Sequence, residues 1–276
     1  MNIETYLNSL VKNKIVIFLL HGVIKKNSHK IRNYNRKHIT KSEFNSFIKG
    51  LSKVGTPVSI GEILKIRNGK KMPQYPFAIT FDDGLKEHYN FVYKELKKRS
   101  LTGLFFIPSK IFDKKDPFIN PHKIHILTSK IPINKLFKQF KIIFNDFNFS
   151  YKKKLFNHSY IKHDDVNKVK NFKRILNYNL NLDQSNKILN KLIKINKINI
   201  KKINFYLSKK NLKEMIKNDM IIGSHTHNHP VLSSLNKKKQ SNEIKKSIKI
   251  LSKIVRKKIN LISYPYGIRN TFNLNT

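Results

Sequence analysis

Five short, largely apolar runs, each closed by a polar or turn-forming motif, constrain this fold more than any other feature. They are Ile15–Leu20, Phe77–Phe81, Gly103–Ile107, Met220–Gly223 and Asn260–Tyr264. Continuous rather than alternating apolarity is the pattern of strands covered on both faces. Segments with helical spacing separate them. One lies around Lys41–Leu51, entered through Thr40 or Ser42 and followed by Gly55-Thr56-Pro57. After Gly84, Leu85, Tyr89, Val92, Tyr93 and Leu96 fall on one helical face, and Lys237–Val255 carries Ile244, Ile248, Leu251 and Val255 at the same period. Strands alternating with helices predict an α/β fold with a parallel sheet or barrel.

The stretch from Asp113 to Phe205 differs in character, being rich in lysine and asparagine. Leu136, Phe137, Phe140, Ile143, Phe144 and Phe147 nevertheless recur at helical spacing, as do Ile188, Leu192 and Ile195. It reads as a helical insertion, residues 113–205, within a single domain spanning 1–276. No internal repeat is present.

Charge would point elsewhere if taken alone. With 57 basic residues against 16 acidic, the formal charge is +41, the mark of a nucleic-acid or anionic-surface partner. The excess is almost all lysine, with seven arginines and a single alanine, Ala78. Lysine, asparagine, isoleucine and phenylalanine are the residues of A/T-rich codons, so the charge is expected to be drift on solvated faces. Specific nucleic-acid sites favour the bidentate fork of arginine, scarce here, and no specific nucleic-acid partner is expected. The chain has no cysteine, which excludes a disulfide framework, a thiolate metal site and a cysteine nucleophile. Ile15–Leu20 is far shorter than the ~20 residues of a membrane span and lacks a signal-cleavage pattern, so no transmembrane segment and a cytoplasmic location are expected. Oligomeric state is left open.

The chemistry-bearing residues follow the apolar runs. Thr80-Phe81-Asp82-Asp83-Gly84 sets two adjacent carboxylates at a strand end, where α/β folds place active sites. Adjacent acids repel unless a cation or a proton offsets one of them, although Asp-Asp-Gly is also an ordinary turn. Gly223-Ser224-His225-Thr226-His227-Asn228-His229-Pro230 brings His225 and His229 four residues apart. Two imidazoles with one carboxylate form a common catalytic zinc set, the alternative being a surface histidine run. Ile262-Ser263-Tyr264-Pro265-Tyr266-Gly267 ends the last run in a rigid loop, or in a plain strand-ending turn.

Together and in this order, the three motifs resemble those of the polysaccharide deacetylase family, the NodB-homology domain of carbohydrate esterase family 4. Its T-F-D-D-G, H-[ST]-x-x-H and P-Y-G motifs match, with support from Leu20-His21-Gly22-Val23, Leu104-Phe105-Phe106-Ile107 and Phe205-Tyr206-Leu207-Ser208. The resemblance implies a distorted (β/α) barrel with a divalent metal, most plausibly Zn2+, held by Asp83, His225 and His229. It implies Asp82 as general base and the Tyr266 backbone N–H as oxyanion donor. It also implies a hydrolase of non-peptide carbon–nitrogen bonds, releasing acetate from a glycan or polysaccharide precursor bearing N-acetyl groups. His227, between the ligands, is expected to be structural.

Two departures accompany the resemblance. Where many members carry an arginine that orients the base, this chain has Ser263, leaving His21 or Arg269 for that task. Nine residues follow Gly267, and the family's later leucine/histidine motif, source of its general acid, is not among them. The expected barrel therefore lacks its last strands. That keeps open a catalytically weak or inactive glycan-binding member, while a lysine-rich binder of anionic polymer is the alternative from another class.

Overall fold

The computed structural model describes residues 14–24, 38–150, 160 and 166–276. Seven strands occur among them: β1 (Val16–Leu20), β2 (Gly22–Ile24), β3 (His38–Thr40), β4 (Thr56–Pro57), β5 (Pro76–Asp82), β6 (Leu104–Ile107) and β7 (Ile221–Ser224). The main sheet is parallel throughout in the order β1-β5-β6-β7, with β4 pairing the start of β5; β2 and β3 form a separate parallel pair. Four of the five apolar runs thus become strands within a residue of their predicted bounds.

The fifth does not. Asn260–Tyr264 makes one parallel bridge, Ile262 opposite Ser224, flanked by hydrogen bonds from Ser224 N–H to Leu261 O and from Ser263 N–H to Ser224 O. Pro265 has no N–H to extend a ladder, and left-handed Tyr266 and Gly267 turn the chain away.

Helices pack on the sheet, but β1, expected to be covered on both faces, leaves Ile17 and Leu19 exposed because it is an edge strand with one open face. α1 (Lys41–Val54) starts at Thr40 rather than Ser42: Thr40 Oγ1 accepts the Glu43 N–H at 3.2 Å while Glu43 Oε2 accepts the Thr40 N–H at 2.6 Å. α2 (Ile60–Arg67) follows. The helix after Gly84 departs from regular spacing, opening as a π-helical stretch, His88–Tyr93, before α3 (Lys94–Lys98). Its wider turn buries Leu85, Val92, Tyr93 and Leu96 as expected. It also buries His88 fully, against the stacked pair of Phe81 and Phe105. Tyr89 stays part-exposed, stacked on Tyr93 and donating to Glu214 Oε2.

The helices α4 (Asn120–Lys130), α5 (Ile133–Asp146), α6 (Asn167–Arg174) and α7 (Leu182–Ile195) fill the segment read as an insertion; 151–159 and 161–165 lie outside the described residues. Leu127, Leu136, Phe140, Phe172, Leu176 and Leu189 are among a second apolar cluster there, separate from the one beneath the sheet. Phe147 and Ile195, included in the expected stripes, are exposed because both lie at helix C-terminal ends. α8 (Lys209–Lys217) and α9 (Lys237–Val255) complete the order. Among the described residues no helix is long and apolar enough to cross a membrane.

Candidate metal centre

Because the main strands are parallel, their C-terminal ends share one end of the sheet. Register brings the following residues together: Leu20 lies opposite Phe81, and Ile107 opposite Ser224. His21, the Asp82-Asp83 pair and His225 therefore emerge side by side. All four acid and histidine candidates are buried: Asp82 4%, Asp83 7%, His225 2% and His229 8% exposed.

One ligand atom from each of Asp83, His225 and His229 lies within 4.8 Å of the others. Asp83 Oδ1 is 3.5 Å from His229 Nε2 and 3.8 Å from His225 Nε2. Ligands about 2.1 Å from a tetrahedral ion stand about 3.4 Å apart, so this spacing suits a small divalent cation. Asp83 Oδ1 is buried and has no hydrogen-bond partner, a costly state that a cation would relieve. The donor set, one carboxylate and two imidazoles, fits zinc-like chemistry. His225 Nδ1 bonds the Ser263 carbonyl at 2.7 Å, which turns its Nε2 to the cluster. Ser263, noted in the sequence as a missing arginine, thus contributes through its backbone.

A polysaccharide deacetylase family model matches residues 157–275, a span that holds His225, His229 and Tyr266. Over that span, somewhat less than half of its length, the chain is similar to the polysaccharide deacetylase family. The Asp82-Asp83 pair precedes the matched span and joins it through the fold. No curated protein sequence matches the chain. Among solved structures it resembles the deacetylase PplD of Streptococcus pyogenes, in complex with acetate: 16% identity, TM-score 0.52, 95% of this chain and 77% of that one. IcaB of Ammonifex degensii gives 17%, 0.53, 93% and 77%. A de-N-acetylase of Aggregatibacter actinomycetemcomitans gives 17%, 0.54, 95% and 81%. The parallel α/β fold is that of NodB-type deacetylase barrels.

The other deacetylase motif residues fall as follows. Asp82 Oδ2 lies 3.8 Å from His225 Nε2, beside the cluster. The Tyr266 ring packs edge-on against His229, centroids 4.9 Å apart, and meets Tyr178 of the insertion at 5.1 Å. His227 points elsewhere, its Nδ1 paired with Ser109 Oγ at 2.8 Å. Of the two substitutes for the family arginine, Arg269 is exposed, while His21 is close enough to Asp83 to bear on its charge.

Burial alone would raise the Asp83 carboxyl; its hydrogen bond with His122 and the electrostatic pull of the His122, His229 and His21 imidazoles outweigh this and hold it well below the usual carboxylate range. Burial pushes His229 down to about 3 and His227 to about 4, keeping both neutral, as an imidazole ligand must be.

The motif loop is clamped from α9, where Glu243 Oε2 accepts the His227 and Asn228 N–H groups and Oε1 accepts Asn228 Nδ2. Glu243 and His122 were not evident in the sequence, since neither lies at a strand end. Tyr206 was visible only as part of Phe205-Tyr206-Leu207-Ser208.

Proposed function

We propose that this chain is a metal-dependent hydrolase that removes N-acetyl groups from a glycan or polysaccharide precursor. The observation that carries the reading is the unpartnered Asp83 Oδ1 facing two imidazoles, with a second buried carboxylate, Asp82, beside them. Asp83, His225 and His229 would hold the ion, most plausibly Zn2+, which when bound supplies Lewis acidity toward the amide oxygen and the attacking water. Asp82 takes the proton from that water as its oxygen adds to the acetyl carbon. The Tyr266 N–H donates to the oxyanion that forms. His21, directly after β1, gives a proton to the departing nitrogen as the C–N bond breaks, leaving acetate and a free amine. Acetate is the molecule named with the Streptococcus pyogenes structure.

The test is acetate release from N-acetylated oligosaccharide by the full chain, before and after chelation and with zinc restored. Asp82→Asn is expected to lower the rate by about 10²–10⁴, and His225→Ala with His229→Ala to abolish stoichiometric metal in elemental analysis. Equal metal in that double variant overturns the site. Metal-loaded protein that binds oligosaccharide without releasing acetate overturns the hydrolase reading in favour of a glycan binder.

A further inference from the structure

His122 connects the insertion to the metal centre. It sits in the first turn of α4, 6% exposed, with Nε2 3.4 Å from Asp83 Oδ2 and Nδ1 2.6 Å from the Tyr206 hydroxyl. The Ile119 N–H donates to that hydroxyl oxygen at 3.4 Å, so the phenol proton is left for His122 Nδ1. An imidazole that accepts at Nδ1 carries its proton on Nε2, and that N–H faces Asp83 Oδ2. Tyr206 is itself fixed to the carboxylate turn: it bridges Leu85, and its neighbours exchange the bonds Lys86 N–H to Phe205 O and Leu207 N–H to Gly84 O. The His122 ring rests edge-on against Phe205.

We propose that His122, oriented by Tyr206, is a positioning residue that holds Asp83 Oδ2 so that Oδ1 alone faces the metal. The inference rests on Asp83 being a metal ligand. The two oxygens of one carboxylate are thereby divided between the insertion and the ion. A carboxylate left to rotate would lose that aim, and hydrogen bonds behind a ligand commonly account for 10–100-fold in metal affinity.

The experiment titrates the metal-free full chain with Zn2+ by calorimetry and with Co2+ by visible absorption, alongside melting of each metal-free variant. His122→Leu is expected to weaken Zn2+ binding about 10–100-fold and to shift the Co2+ bands. His122→Gln, whose amide can still donate to Oδ2, restores most of the affinity. Tyr206→Phe shifts both readouts in the same direction while melting like wild type, and it decides the matter if His122→Leu does not fold. Wild-type affinity and an unaltered Co2+ spectrum in Tyr206→Phe and in a folded His122→Leu, with binding abolished in Asp83→Asn, overturn the positioning role and leave the metal centre standing. Undiminished binding in Asp83→Asn overturns both.

Discussion

Asp83, Thr226, His229 and Tyr266 adopt left-handed φ of 76°, 63°, 58° and 66°, so the backbone is strained where the candidate ligands meet. Asp and His tolerate that region; a β-branched threonine does so at a cost, here offset by hydrogen bonds. Thr226 Oγ1 accepts the His229 N–H at 3.1 Å, and its N–H reaches Ser224 Oγ. Thr226→Ala keeps the φ and removes the acceptor, so we expect about 1–3 kcal/mol lost in urea unfolding, together with weaker metal binding. His88 gives a second test at this scale. Burial pulls its pKa down to about 4 from an ordinary 6.5, while its Nε2–H bonds the His21 carbonyl. The unfolded chain takes up that proton below pH 6.5, but the fold refuses it until about pH 4. The associated stability, about 3 kcal/mol, is present above pH 6.5 and is lost as pH falls from 6.5 to 4. His88→Gln, which keeps a donor but does not titrate, should flatten the pH dependence of the urea midpoint across that window. An unchanged slope contradicts the assignment.

At the scale of elements, the loop carrying both candidate ligand histidines is bonded to the end of β6 and the turn after it and clamped from α9, where Glu243 accepts three N–H bonds from it. Glu243→Ala would strand two backbone donors; we expect about 2–3 kcal/mol of destabilisation and faster amide exchange at Asn228, with α9 itself unaffected. Exchange at Asn228 equal to wild type would show that the loop holds itself. Which elements were legible follows from how local their causes are. Continuous apolar runs such as Phe77–Phe81 announced buried strands, and Lys237–Val255 was readable from period alone. Asn260–Tyr264 carried the same signal, yet Pro265 and the turn behind it cut pairing to one bridge. His88 was missed because a π-helical stretch breaks the 3.6 spacing on which the expectation rested. The ligands were legible because they follow strands in family motifs. His122 was not, because its partners Asp83 and Tyr206 are distant in sequence and only tertiary packing joins them.

At the scale of the molecule, the lysines among the described residues lie mainly on exposed positions, with Lys123 an exception: it is 1% exposed and bonded to Asp116, Asn186 and Asn190. Retention on heparin should accordingly be weak and fall steeply with salt, gone near physiological ionic strength; salt-resistant or sequence-specific DNA binding in a polarisation assay would contradict this. One topological fact bears on how the protein is made. Strands β6 and β7 are neighbours in the sheet, yet more than a hundred residues separate them in the chain. At about 5–20 residues per second a ribosome needs roughly 6–20 s to travel from one to the other. Throughout that interval Leu104-Phe105-Phe106-Ile107 presents an unpaired apolar edge to solvent or to a chaperone. The intervening helices, with a core of their own, can condense while the edge waits. In the nascent chain Asp83 and His122 thus emerge before Tyr206, His225 and His229 have been translated, and the candidate cluster comes together only when β7 docks.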